Sequence, residues 1–160
     1  MRSSKYPLEP LARLKKERAE GAVRDLGRAV SAREEASHRR AEVEEARKEA
    51  EARAARVRQE ERAVLEKGGL RAADLMRAEA WEARVKAEDV ERARAVEEAR
   101  ASLATKTRLE VEAQVNVARV RGEANAVSRH EARWHEAQRR ARDLEEEEAA
   151  AEAQRPKPPR

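Results

Sequence analysis

The chain has 160 residues and contains no cysteine, no phenylalanine and no isoleucine. Without cysteine there is no disulfide framework and no thiolate metal site, so nothing in the sequence points to an oxidising compartment. Leu, Ile, Val and Phe together make 23 of the 160 residues, about 14%, under the roughly 20% below which a packed globule is not expected. A compact hydrophobic core is therefore excluded. No apolar run reaches the roughly 18 residues of a membrane span, and the N-terminal region lacks the apolar stretch of a signal peptide, so a cytoplasmic protein is expected. Proline is confined to the two ends, at Pro7, Pro10, Pro156, Pro158 and Pro159, and nothing between them forbids helix.

What is present is charge and small side chains: 44% of residues are Asp, Glu, Lys or Arg, and Ala alone occurs 35 times. These are strong helix formers, and they favour an elongated helix over disorder. Gly68-Gly69, after Lys67, is the one adjacent glycine pair and marks a helix end. The organisation predicted is a flexible segment at 1–7, helix one at 8–66, a turn at 67–71, helix two at 72–153 and a disordered proline-rich tail at 154–160. Gly21, Gly27 and Gly122 are isolated, cost about 1 kcal/mol each relative to alanine in a helix, and are expected to be tolerated.

Apolar spacing gives each helix one seam. In helix one, Val43, Ala50, Val57 and Val64 recur every seven residues, preceded in the same register by Ala22, Ala29 and Ala36, with Ala46 and Ala54 alongside. Val23, Leu26 and Val30 sit one position off, so a drift of the stripe is expected between residues 30 and 43. In helix two the series is Ala113, Val120, Val127, Trp134 and Ala141, flanked by Val117 and Ala124; nearer the turn, Met76, Ala83 and Val90 are expected to continue it. A short turn between two such helices predicts an all-α, long two-helix antiparallel coiled-coil hairpin, with helix one about 90 Å long and helix two overhanging it beside the N-terminus. Acid-to-base pairs four apart, Glu35–Arg39, Glu44–Lys48, Glu49–Arg53, Glu82–Lys86, Glu88–Arg92 and Glu136–Arg140, are expected to support the outer faces by about 0.2–0.5 kcal/mol each.

Catalytic chemistry finds no foothold in the residue pattern, and no enzyme activity, metal or cofactor is expected. His130 and His135 are five apart, which turns them about 140° from one another on a helix, whereas two ligands on one helix want a spacing of three or four. They read as surface histidines, and His38 has no nucleophile or base beside it. The run Glu145 to Glu148 points in four directions and reads as a solvated segment, and Gly68-Gly69 lacks the context of a phosphate loop. Nucleic-acid binding would need a basic stripe with interleaved aromatics, but Tyr6, Trp81 and Trp134 are the only aromatics and most basic residues have an acid nearby. Two segments do carry an excess of positive charge: Arg13, Lys15, Lys16 and Arg18 near the N-terminus, and Arg129, Arg133, Arg139, Arg140 and Arg142 in helix two. In a hairpin both lie at the same, open end, where they could dock on an acidic partner.

The N-terminal stretch Lys5-Tyr6-Pro7-Leu8-Glu9-Pro10-Leu11-Ala12-Arg13-Leu14-Lys15-Lys16-Glu17-Arg18 resembles the opening of YscO-type proteins of type III secretion systems, which are similar to the flagellar export protein FliJ. Both families look like the two-helix coiled coil of the rotary ATPase γ subunit. The resemblance implies a non-enzymatic central stalk that binds the hexameric export ATPase, couples it to the export gate in the membrane, and handles secretion chaperones or a needle-length regulator. Placed on this chain, it makes Leu8, Leu11, Leu14, Lys15, Lys16, Arg18, Trp134, Arg139, Arg140 and Arg142 the expected ATPase contact. Leu70, Leu75, Met76 and Trp81, at the turn, become the expected contact for the export gate or a chaperone. The alternatives are a self-associating coiled-coil spacer and, less favoured, a basic nucleic-acid-binding hairpin.

Overall fold

A computed structural model describes residues 5–68 and 71–153. The expectations for residues 1–4, for Gly69 and Leu70, and for the tail from residue 154 lie outside the described residues. The fold is all-α: α1 spans Glu9–Glu66 and α2 spans Ala72–Ala153, the two pack against each other as a helical hairpin, and no strand occurs among the described residues.

Each helix end has an identifiable cause. Pro10 falls in the first turn of α1, where a missing N–H costs nothing, and the Glu9 N–H donates to the Tyr6 carbonyl at 3.2 Å. At the other end of α1, Gly68 adopts φ of 73°, a left-handed value that a side chain disfavours, and its N–H donates to the Leu65 carbonyl at 3.0 Å. That is the inner bond of a glycine-terminated helix. α2 starts with Asp74 in its first turn: its carboxylate accepts the Arg71 N–H at 3.0 Å and so satisfies a donor that the helix leaves open.

Contacts divide the chain into two units, one formed by the chain up to Leu26 with the part from Ala113 onward, the other by Gly27 to Glu112. In the first unit the buried core is Ala22, Val117 and Val120, with Ala19 and Leu26 packed on it. The pairs Tyr6–His130 and Lys15–Glu123 fix its strands of helix as antiparallel. Ala113, Ala124, Val127 and Trp134 are half-buried along the same side of α2, whereas every described residue past Trp134, Ala141 included, is exposed.

In the second unit Ala54, Val96 and Ala99 are buried. Two seven-residue series run along α1: Ala29, Ala36, Val43, Ala50 and Val57, interleaved with Arg33, Arg40, Arg47, Ala54 and Glu61, all buried or half-buried. The stripe keeps its step of seven, so the expected drift between residues 30 and 43 does not occur. Ala46 and Val64 are exposed, as is Val23 in the first unit. On α2 the buried or half-buried series are Ala78, Val85, Arg92, Ala99 and Lys106, and Glu82, Asp89, Val96, Leu103 and Glu110. Met76, Ala83 and Val90 are therefore not seam residues. Each stands two positions before Ala78, Val85 or Arg92, about 200° round the helix, and faces outward.

The seam of this unit is polar because cross-helix ion pairs occupy it. Arg33 Nε donates to Glu110 at 2.9 Å, Arg47 engages Asp89 through two bonds of 3.1 and 3.3 Å, and Arg58 engages Glu82 at 2.6 and 3.1 Å. Glu44 accepts from Arg100 at 3.0 Å. Alanine layers alone specify helix register weakly, because one small side chain fits where another did. Paired charges at fixed heights supply that specificity. Of the expected pairs four apart, Glu49–Arg53, Glu88–Arg92 and Glu136–Arg140 form. Arg39 instead turns to Glu42, Lys48 to Glu45 and Glu82 to Arg58, since each finds a nearer partner.

One seam arginine lacks a full set of partners. Arg40 reaches Glu44 at 3.5 Å, but its Nε is buried with no hydrogen bond. By the register of the pairs on either side, Arg40 falls opposite the inward-facing apolar side chains Val96, Ala99 and Leu103. An unsatisfied buried donor costs about 1–3 kcal/mol. Replacing Arg40 with Leu should therefore raise the midpoint of urea unfolding, by a stabilisation of about 1 kcal/mol; a lower midpoint would show that the guanidinium is net favourable there.

Candidate functional site

The opening motif is divided between the seam and the surface. Tyr6 is 5% exposed, the most buried aromatic residue of the chain. Its hydroxyl lies 2.6 Å from His130 Nδ1, and which group donates depends on the imidazole tautomer. Its ring stands 5.6 Å from that of Trp134 and 5.7 Å from that of His130, both tilted, and Trp134 meets His135 edge-on at 4.9 Å. These separations fall in the range where aromatic pairs attract beyond simple burial. The cluster plugs the end of the first unit and fixes the chain just ahead of α1.

From that fixed point the turn residue Leu8 and the first turns of α1 present two kinds of side chain. Ala12, Lys15 and Ala19 turn inward. Leu8, Leu11 and Leu14 are 42%, 37% and 43% exposed, so they are not consumed by the hairpin's own packing. Lys15, expected as a docking charge, also serves the hairpin's own seam. It is half-buried and donates to Glu123 at 2.5 Å, while Glu123 also accepts from Arg119 at 2.7 Å. Lys16, Arg18, Arg139 and Arg142 are exposed and have no ion pair among those described, whereas Arg140 is held by Glu136 and Arg13 lies at 4.0 Å from Glu17. Trp134 is half-buried, packed on Tyr6 as much as offered to solvent.

Tyr6, His130 and Glu123 are the residues that apolar spacing did not single out. The antiparallel fold was the available signal: a chain doubling back near Gly68 brings Tyr6 to the stretch around His130. Both histidines have exposed surface, and His135 Nε2 is 3.9 Å from Glu131. Among the described residues no group of three or more His, Cys, Asp or Glu is placed to hold a metal ion, and no helix is long and apolar enough to cross a membrane.

At the turn, Leu75 is 48% and Met76 72% exposed. Trp81 is half-buried, with the Arg58 guanidinium 6.0 Å from its ring centroid. Leu75 and Trp81 line one groove with Val57, Val64 and Leu65, while Met76 does not line it. Of the four residues expected at this contact, Leu75 and Trp81 share a groove, Met76 does not line it, and Leu70 is outside the described residues.

Two carboxylates of the hairpin are held below the ordinary carboxylate range. For Glu123 the first cause is the hydrogen bond from Lys15, opposed by desolvation and reinforced by the charges of Lys15 and Arg119. For Glu82 it is the hydrogen bond from Arg58, again opposed by desolvation. A carboxylate with a lowered folded-state pKa contributes stability that is present above its unfolded pKa and is lost as pH falls through the folded value. The double variant Glu82→Gln, Glu123→Gln should accordingly be less stable than the parent at neutral pH, and should lose less stability on acidification below the ordinary carboxylate pKa. Parallel stability–pH curves for the two proteins, measured by urea unfolding, would contradict this.

Comparison with protein-family models, with curated proteins and with solved structures finds no match to this chain.

Proposed function

We propose that the chain is a non-enzymatic central stalk of a type III secretion export apparatus, acting in the cytoplasm at the membrane-proximal base. In this reading the end built around Tyr6 binds the hexameric export ATPase, and the turn end meets the export gate or a chaperone. Secretion chaperones or a needle-length regulator are its further partners. The observation that carries the reading is the way the opening motif is used. Tyr6, Ala12 and Lys15 are spent on holding the two helices together, which leaves Leu8, Leu11, Leu14, Lys16 and Arg18 facing out from a fixed helix start. An apolar strip with flanking cations is suited to docking on a protein surface, with charge steering the encounter and the leucines contributing buried area.

Charge reversal at Lys16, Arg18, Arg139 and Arg142 tests the docking role, with Lys15 left in place because it belongs to the seam. Binding to a purified hexameric export ATPase should weaken about tenfold or more and become less salt-dependent, with helicity by circular dichroism unchanged. Unchanged affinity would remove electrostatic docking from this end, and no binding by the parent chain would remove the stalk assignment.

A further inference from the structure

In the first unit α2 continues well past Trp134, and every residue from His135 to Ala153 is exposed. Along this overhang Trp134, Ala137, Ala141 and Leu144 stand three and four apart, the spacing of a coiled-coil stripe. Ala137, Ala141 and Leu144 share one face with Arg133 and Arg140. The stripe extends the inner series of Val120, Val127 and Trp134, yet Leu144 is 59% exposed. Charge along the overhang is segregated. Arg133, Arg139, Arg140 and Arg142 come first, against Glu136; the acids Asp143, Glu145 to Glu148 and Glu152 follow, with no base among them. Asp143 and Glu147, and Glu148 and Glu152, are like charges four apart, each pair disfavouring an isolated helix by about 0.2–0.5 kcal/mol. Neither these acids nor Arg133 have an ion pair among those described. Arg140 meets Glu136 through one nitrogen only, which leaves the rest of its donors open.

We propose that the overhang pairs antiparallel with the overhang of a second copy of the chain, in a weak two-fold dimer whose axis passes between Ala141 and Leu144. In that register Ala141 of each copy meets Leu144 of the other. Arg140 and Glu147 lie one step of seven apart on one edge of the stripe, so the axis sets Arg140 of each copy against Glu147 of the other. The order of the charges decides between occupants. A uniformly basic partner is repelled by the arginine half, a uniformly acidic one by the glutamate half, and a parallel copy sets like charge against like. An antiparallel copy places base against acid at both ends. The stripe is narrow, with alanines and one leucine at its centre, so the dimer is transient and salt-sensitive. Arg139 and Arg142, whose reversal tests ATPase docking, lie about 160° and 140° round the helix from Ala137 and stay outside the contact. This inference does not rest on the stalk assignment, and no ATPase enters its test, so either can fail alone.

The full chain tests it by sedimentation over a wide concentration range at low ionic strength. The mass should rise from 18.1 kDa toward twice that value, with a micromolar to millimolar dissociation constant. Raising the salt to about 0.5 M should weaken association about tenfold or more. Leu144→Asp places a carboxylate beside the axis and should leave a monomer at every concentration, with helicity unchanged because the side chain is exposed. Two double variants test the order of the charges. R133E/R140E makes the face acidic along its length, and E147R/E148R makes it largely basic. Neither should self-associate, and an equimolar mixture of the two should form a one-to-one complex, since each supplies the charge that the other has lost. A parent chain that stays monomeric throughout overturns the proposal, as does a dimer that Leu144→Asp leaves intact. A mixture that associates no better than its components overturns the charge pairing. Binding of a different protein along the overhang, with no self-association in its absence, overturns the proposal as well.

Discussion

Replacing Val117 with Asp should unfold the unit that contains the opening motif. Val117 is 6% exposed and packs with Ala22 and Val120 in that unit's buried aliphatic cluster. A carboxylate there has no cation in the cluster to meet it. An uncompensated buried charge costs about 3–5 kcal/mol, which is comparable with the entire stability of a small domain, about 5 kcal/mol at the low end. Small Ala and Val layers leave little margin to absorb it. Hydrogen exchange should lose protection over the start of α1 and over α2 from Ala113 to Trp134. Val115→Asp is the matched control: Val115 is 65% exposed, two positions away on the same helix, and its replacement should change stability by less than about 0.5 kcal/mol. Equal effects of the two variants would contradict the burial pattern.

Tyr6→Ala should have the next largest effect, a loss of about 3 kcal/mol, in line with large-to-small changes at buried aromatic positions. Its reach is local. Without the ring, Trp134 and His130 lose their common neighbour, the segment before Glu9 is no longer held, and the first turn of α1 frays. Trp134 fluorescence should shift to longer wavelength as water reaches the indole. Tyr6→Phe separates the two contributions: it keeps the ring contacts, gives up the hydroxyl bond to His130, and should cost about 1 kcal/mol. Since the cluster holds the chain just ahead of Leu8, Leu11 and Leu14, the proposed stalk role predicts that affinity for an export ATPase falls more in Tyr6→Ala than in Tyr6→Phe. Unchanged Trp134 emission in Tyr6→Ala would mean that the ring does not shield the indole.

Where the seam is apolar, spacing alone located it. Val43, Ala50 and Val57 on α1, and Val117, Val120, Ala124 and Val127 on α2, are buried or half-buried in the register that their recurrence implies. Where charged residues carry the seam, the same rule pointed to the wrong stripe. Glu82, Asp89 and Arg92 occupy inner positions near the turn and interrupt the inner apolar series of Ala78, Val85 and Ala99, so the unbroken series Met76, Ala83 and Val90, on the outer side, was read in its place. Periodicity detects apolar area, and a seam made of ion pairs has little. The cost of placing those charges inward is met only when Arg47 reaches Asp89 and Arg58 reaches Glu82, and each of those partners is distant in the chain. The candidate site followed the same division. The motif of residues 5–18 was visible as a string, but the string did not separate the residues that hold the hairpin from those that face out.

The sequence by itself determined that this protein is helical, that it has no compact core, and that it turns once near Gly68, because composition, helix propensity and the confinement of proline to the ends act locally. Only the tertiary structure decided which arginines are structural, why Lys15 is not a free charge, and that Tyr6 is buried. Each of those depends on a partner that the folded chain brings from its other half, and no local rule assigns a charge or a ring to a neighbour 24 to 124 residues away.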